Sequence, residues 1–447
     1  MSITDPPVAV RPAKEPGRPR QILLASLGNA AEWFDWTVYV TFAAVLGPQF
    51  FPSGDGATNV LETLSVFAVG FLFRPVGGLL IGAYCDRRGR GAGLRLSLLL
   101  MAGGSLLIAL APAHRTAGVL SPALLVAARA LQGLSAGGEG TAMSTYVIET
   151  APRRRRGLYS SAIYISTTLG TLTATFLALL LRNTLTPDQL ADWGWRIPFA
   201  LGALFASYGW WMRRGVRETP AFGAVRERAH RPAGEVLRAY PRRVVRVAGF
   251  TLGATVVYYT FAAYLPLYAQ VHDGVPADSA LWASVAAQVV FMAALPLLGM
   301  ATDRFGPRPM LLVFGGGFVC LTPVLFAVMS GSAVRLFAVM AAALLLFGCY
   351  ATAAPAATSQ MFPTAVRSTG VGLPYALTVA LFGGTAPYLN EYLAGRGHAA
   401  WYPWYVVLLA AASTVFFLRF RGTADADLTA VEDTGRAGAG DGGTARG

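Results

Sequence analysis

About twelve apolar runs of roughly 18 to 28 residues follow one another along the 447-residue chain, each long enough to cross a bilayer as a helix. Nothing else in the sequence restricts the fold as strongly. In hydrocarbon a backbone amide finds no water, so a spanning segment must bond its own peptide groups, as an α-helix does. The runs lie near 22–50, 60–84, 94–112, 120–150, 158–182, 195–214, 244–270, 280–301, 310–330, 334–360, 367–394 and 401–420. The expectation is an all-α membrane protein with twelve transmembrane helices. A mean hydropathy of +0.50 with only 13% charged residues excludes an ordinary soluble domain of this size.

The net charge of +13 does not point to nucleic acid, because the basic residues fall between the runs. Of 36 Lys and Arg residues, 29 lie in the N-tail, in 87–95, 153–156, 213–246 and 304–308, at Arg367, and from Arg419 onward. Only Arg115, Arg182, Arg196, Arg335 and Arg396 lie on the other side, and Arg74 and Arg129 fall in mid-span. The positive-inside rule then puts both termini in the cytoplasm. The segment 213–246 is the one long internal polar stretch, and it divides six spans from six. The organisation expected is a cytoplasmic N-tail (1–20), a six-helix bundle (21–214), a cytoplasmic linker (215–243), a second six-helix bundle (244–421) and a disordered C-tail (422–447).

An internal repeat supports this division. Cys85-Asp86-Arg87-Arg88-Gly89-Arg90 recurs as Thr302-Asp303-Arg304-Phe305-Gly306-Pro307-Arg308, an offset of 217 residues (303 − 86). Glu149-x-x-Pro152-x-x-x-Arg156 is echoed by Gln360-x-x-Pro363-x-x-x-Arg367, offset by 211 (363 − 152). Similar offsets for two motifs argue duplication.

Charges inside the spans carry the functional argument. Gly28 to Tyr39 holds Glu32 and Asp35 in an apolar run, and the spacing puts Glu32, Asp35 and Tyr39 on one helix face. A charge at that depth costs about 2.5 to 3.5 kcal/mol, so it faces protein or a water-filled path and takes a partner. At about 1.5 Å per residue, Glu32, Asp35, Arg74 and Glu139 all lie roughly 18 to 22 Å from the cytoplasmic end. Arg74 would offset one or two of the three carboxylates, and an acid left without a counter-ion is a proton carrier. The alternative is a fully satisfied charge network that only fixes packing. On span 4, Arg129 and Gln132 share the face of Glu139, with Arg129 nearer the outer mouth, placed to meet an anion or lock an outer gate. In the second half Tyr258, Tyr259 and Tyr264, Gln288 and Tyr375 supply hydroxyls, an amide and aromatic faces for a small polar solute. Trp401, Tyr402, Trp404 and Tyr405 are expected to form an interfacial belt.

Other classes find no support. Lys14 is the only lysine, so no Gly-x-x-x-x-Gly-Lys phosphate loop exists. Cys85, Cys320 and Cys349 are scattered, the four histidines fall in expected loops, and no nucleophile has a base or metal-ligand spacing. No enzyme, metal or cofactor is expected.

The Asp86-Arg87-x-Gly89-Arg90 loop and its second copy resemble the hallmark of the major facilitator superfamily. Gly28-Asn29 with Glu32-Trp33-Phe34-Asp35, Phe73-Arg74-Pro75-Val76-Gly77-Gly78, Gln132 to Glu139, Gly194-Trp195-Arg196-Ile197-Pro198-Phe199 and Leu381 to Pro387 resemble its metabolite:proton symporter family, from about 21 to 421. Phe50-Phe51-Pro52-Ser53-Gly54 most resembles the 2-oxoglutarate permeases of that family. Gln360 stands where the family has glutamate. The resemblance implies alternating access between two bundles around a midplane site, with proton symport of a small organic acid, a 2-oxoglutarate-like dicarboxylate first. Proline or betaine transport, export by proton antiport, and a membrane sensor are the other readings. It also implies a gate latch made of Asp86, Arg87, Arg90, Glu149, Asp303, Arg304, Arg308 and Arg367. The partners expected are protons, a small solute and the bilayer, with the chain a monomer in the inner membrane.

Overall fold

The computed structural model describes residues 18–52, 56–88, 90–212, 238–329, 331–362, 367–420 and 422. Most of the expected N-tail and linker and nearly all of the C-tail lie outside the described residues; 18–20 belong to the first helix. Twelve rods make up the rest: α1 (Arg18–Thr41), α2 (Gly56–Arg88), α3 (Arg90–Leu110), α4 (Leu120–Thr150), α5 (Arg156–Thr184) and α6 (Arg196–Met212). The second set is α7 (Pro241–Tyr258, continued to Val271), α8 (Ala277–Phe305), α9 (Pro307–Val328), α10 (Ala333–Ser359), α11 (Arg367–Thr378, continued to Gly395) and α12 (Tyr402–Leu418).

Seven of these, α2, α5, α7, α8, α9, α10 and α12, are long and apolar enough to cross a membrane by length and composition. Of the other five, α1 and α4 carry charges at mid-length and α11 is broken by a π-helical segment. The expected single span 22–50 is two helices, because Phe42 (φ −95°, ψ 5°) leaves helical geometry and Ala43–Phe50 starts anew. Spans 7 and 11 each contain a π-helical segment, Tyr259–Tyr264 and Val379–Gly383. Such turns recur at functional sites.

The packing repeats between halves. In the first half α1 packs on α5, α2 on α4, and α3 on α4 and α6; in the second, α7 packs on α11, α8 on α10, and α9 on α10 and α12. Each pair has its counterpart six helices later. The halves meet along α5 with α8 and α2 with α11. Bare backbone makes the tightest seams. A Cβ on Gly133 would stand 2.0 Å from the Gly70 carbonyl oxygen, and one on Gly137 2.0 Å from that of Arg74, so α2 and α4 touch with nothing between them. Outward-facing leucines such as Leu80, Leu110, Leu297 and Leu408 remain exposed, as a lipid-facing surface requires. Gly306, at φ +87°, makes the turn from α8 to α9 that the repeated loop motif encodes.

Candidate functional site

The α2–α4 seam carries Arg74 to mid-depth, where it meets α1. Its Nη2 lies 3.8 Å from Glu32 Oε1, and its guanidinium is held between the Trp36 and Phe71 rings, 4.2 Å from each centroid. Both charged side chains are buried, at 6% and 8% exposure. Behind them lies a second couple. Arg129 Nη1 is 3.7 Å from Asp35 Oδ2, and its guanidinium covers the Tyr39 ring at 3.8 Å. Asp35 Oδ1 accepts hydrogen bonds from Ser105 Oγ (2.5 Å) and Gln132 Nε2 (2.9 Å). Trp36 lies against both arginines and separates the couples.

Neither ion pair is a close fork. At 3.7 and 3.8 Å both exceed hydrogen-bond length, and Nε and Nη2 of Arg74, with all three nitrogens of Arg129, are buried without a hydrogen-bond acceptor among the described residues. Bare guanidinium donors in a buried site are a standing demand for an oxyanion.

The two couples differ in access. A cavity of about 120 Å³ lies between the halves, lined by Glu32, Trp33 and Arg74 on one side and by Tyr350 and Tyr375 on the other, with Tyr164 from α5. Asp35 and Arg129 do not line it. Trp33 meets the second half through Tyr258 (5.1 Å between centroids) and Tyr259 (6.2 Å), and Tyr259 packs on Phe71 (5.1 Å). At the same level the two π segments abut: a Cβ on Gly383 would stand 2.7 Å from the Tyr259 ring. Aromatic contact across the halves therefore roofs the cavity.

The expected site residues divide accordingly. Glu32, Arg74 and Tyr375 face the cavity, and Tyr258 and Tyr259 pack on its wall. Gln132 holds Asp35. Tyr39 donates to the Thr63 carbonyl (3.0 Å) and supports Arg129. Tyr264 is turned away to Glu391, and Gln288 donates to Ser284 on its own helix (2.8 Å). Arg129 is fully buried against Asp35, and Arg196 donates to the carbonyls of Asp192 and Ala111. Among the described residues Glu32 is paired with Arg74 and Asp35 with Arg129. The side chain of Glu139 lies outside the described residues. Tyr164 and Tyr350 were not anticipated; Tyr350 stands alone in an apolar stretch, and Tyr164 lies in a run of serines and threonines with no charge to single it out. In the expected belt Trp401 and Trp404 are exposed, but Tyr402 is buried and bonded to Thr260 (2.6 Å).

At the arginine-rich end Asp303 reaches from α8 to the start of α5, accepting from the Gly157 N–H (2.6 Å) and the Leu158 N–H (3.0 Å). Arg367 on α11 donates to Glu149 on α4 at 2.6 Å. Both contacts join the halves. Arg308 instead bonds the Leu418 carbonyl within the second half, and Arg304 lies over Phe305. The side chains of Asp86, Arg87 and Arg90 lie outside the described residues. At the far end Arg182 bonds Asp278 (2.8 Å), again between α5 and α8. Contacts between the halves thus occur at both ends of the cavity.

The sugar (and other) transporter family profile matches residues 21–248. The chain is 39% identical over 396 residues to the alpha-ketoglutarate permease of Escherichia coli, covering 88% of this chain and 91% of that one. It is 33% identical over 409 residues to the citrate-proton symporter of Salmonella typhi (89% and 94%), and 29% identical over 423 residues to the proline/betaine transporter of Escherichia coli (92% and 84%). In fold it is similar to the Escherichia coli xylose transporter in a partially occluded inward-open conformation, with TM-score 0.69, 17% identity and coverage of 91% of this chain and 98% of that one. The chain belongs to the major facilitator superfamily, within the sugar (and other) transporter family, and is a membrane transporter of twelve helices in two six-helix bundles rather than an enzyme.

Proposed function

We propose that the protein is a proton-coupled symporter of a small organic acid, with a 2-oxoglutarate-like dicarboxylate favoured. One observation carries this reading: Arg74 lines the cavity between the halves with bare donors and stands opposite Glu32 at 3.8 Å. An incoming carboxylate takes the guanidinium in the bidentate geometry that Glu32 leaves unused. Glu32 then faces a second anion in a buried site, and like-charge repulsion with desolvation drives it to hold a proton. Solute and proton therefore bind together or not at all. Tyr350 and Tyr375 supply hydroxyls for the remainder of the solute. Asp35, with two donors on one oxygen and Arg129 beside the other, fixes α1 against α3 and α4. The names of the permease and the citrate symporter among the relatives support a carboxylate cargo.

In this reading the arginine-rich end is cytoplasmic, both termini lie there, and the protein works as a monomer in the cell (inner) membrane. The bundles are 21–214 and 244–421, the linker is 215–243, and the tails are 1–20 and 422–447. Asp303 with α5 and Glu149 with Arg367 latch the inner end; Arg182 with Asp278 holds the outer one.

A zwitterion such as betaine is the second reading, favoured by Trp33, Tyr258 and Tyr259 beside Glu32, a set able to surround a quaternary ammonium. Uptake of labelled 2-oxoglutarate into proteoliposomes under an inward proton gradient tests both. The wild type accumulates it, Glu32→Gln exchanges it without gradient-driven accumulation, and Arg74→Gln does neither. Accumulation displaced by betaine but not by citrate overturns the organic-acid assignment.

A further inference from the structure

Among the described residues, Glu391 is a buried acid that the midplane site does not use. It sits in the last turns of α11, 2% exposed, and its Oε2 takes two donors from α7: the Tyr264 hydroxyl and, at 3.0 Å, Nε2 of His272. Oε1 is buried without a hydrogen-bond partner. A carboxylate enclosed in this way needs a cation, and His272 is the group in place to supply one. The imidazole bridges two environments, since its side chain is 21% exposed while that of Glu391 is 2% exposed. It therefore exchanges protons with the aqueous phase at the far end and hands the charge to the interior.

We propose that His272 and Glu391 form a second proton-binding site, at the far end of the second half, whose occupancy ties α7 to α11. The site is distinct from Glu32 and Asp35 and does not depend on what the cavity carries. Its mechanical meaning comes from Tyr264. That residue ends the π segment Tyr259–Tyr264, and the opposite end of the segment, Tyr259, packs on Trp33 and Phe71 in the cavity roof. Loss of the His272 proton leaves Glu391 with hydroxyl support alone and releases the outer half of α7.

The surrounding charges agree with this. On α7 and just past it His272 is faced by Asp273 and stacked on Tyr268, with ring centroids 4.8 Å apart. On α12 Tyr402 lies near Tyr264 and is held by Thr260. The first charged residues of α8 and α10, which also pack on the end of α7, are Asp278, engaged by Arg182, and Arg335. The hydrogen bond to Glu391, aided by the charges of Glu391 and Asp273, holds the His272 imidazole above its usual value of 6.5 despite partial burial. The tie is therefore present at and below that value and is lost as pH rises through the raised one.

Site-resolved diethyl pyrocarbonate labelling from pH 5.5 to 9, read by mass spectrometry on the full-length protein, reports the fraction of neutral imidazole. The expected midpoint for His272 lies above 6.5 and returns to the ordinary range in Glu391→Gln. Hydrogen exchange, corrected for intrinsic pH dependence, should show amides of 265–271 and 385–395 losing protection through the same midpoint in wild type and showing no such step in His272→Gln. A His272 midpoint at or below 6.5 in the wild type overturns the proposal even if Glu391→Gln fails to fold, and so does exchange without a pH-linked step.

Discussion

Asp303→Asn is the most direct test of how the arginine-rich end is held shut. Asp303 supplies an N-cap across the boundary between halves: its carboxylate takes the first free N–H groups of α5, at Gly157 and Leu158, and sits at the positive end of that helix. Hydrogen bonds to a charged group are worth about 1.5 to 3 kcal/mol, and the asparagine amide keeps one acceptor while turning its NH₂ toward the other donor. Losing one such bond therefore shifts the closed-to-open balance at this end roughly 10- to 140-fold. The readout is alkylation of Thr358→Cys, a cavity-lining position 8% exposed here, in a background lacking Cys85, Cys320 and Cys349. When opening is fast, the labelling rate follows the open population, so Asp303→Asn should raise it at least tenfold. Arg308→Gln is the control, because its bond to Leu418 stays within one half. A rate within twofold of the parent in Asp303→Asn refutes the latch.

Asp35→Asn leaves Arg129 as a buried cation without its counter-ion, a loss of about 3 to 5 kcal/mol, and Asp35→Asn with Arg129→Met should recover much of the folded fraction after heating. Gly137→Ala places a Cβ 2.0 Å from the Arg74 carbonyl oxygen and 2.5 Å from the Gly78 nitrogen; it should abolish folded yield, whereas Gly316→Ala, with nothing within 4 Å, should be neutral. Arg74→Lys keeps the charge but not the planar fork between Trp36 and Phe71, so solute affinity in a binding titration should fall tenfold or more. The stability that His272 lends is complete below pH 6.5 and falls as pH rises through its raised value; a thermal scan at pH 6 and pH 9 should show a drop that is absent in His272→Gln.

The helices and the midplane acids were legible because the bilayer makes both loud. A run of apolar residues has one reading, and Glu32, Asp35 and Arg74 stand out in such runs by their cost. Which acid meets which arginine was not legible, since that depends on how α1 turns between α2 and α4, and the seam that sets this turn is made of glycines whose contacts leave no pattern. Tyr264 was expected in the cavity and is not there for a definable reason. A π turn admits one extra residue and rotates everything beyond it by about 100°, so a regular helical face extrapolated through Tyr259–Tyr264 points the wrong way. Glu391 escaped notice because it lies in the outer turns of a broken helix, and its partner His272 read as a loop residue. Arg308 shares its motif with Asp303 but not its contact, because only the acid can accept from the N–H groups at a helix start, whereas Arg308 donates to the carbonyl that ends α12.

The α5–α8 seam is fastened at its two ends by bonds of different kinds. Arg182 and Asp278 are 34% and 49% exposed, so their attraction is weakened by dissolved ions, within a screening length of about 8 Å at physiological strength. The carboxylate of Asp303 is instead locked onto peptide N–H groups, a contact that salt hardly touches. The two strokes of a rocking cycle therefore answer to different surroundings. Added salt therefore loosens the Arg182–Asp278 clasp more than the Asp303 contact, and tips the balance toward the state open at the far end.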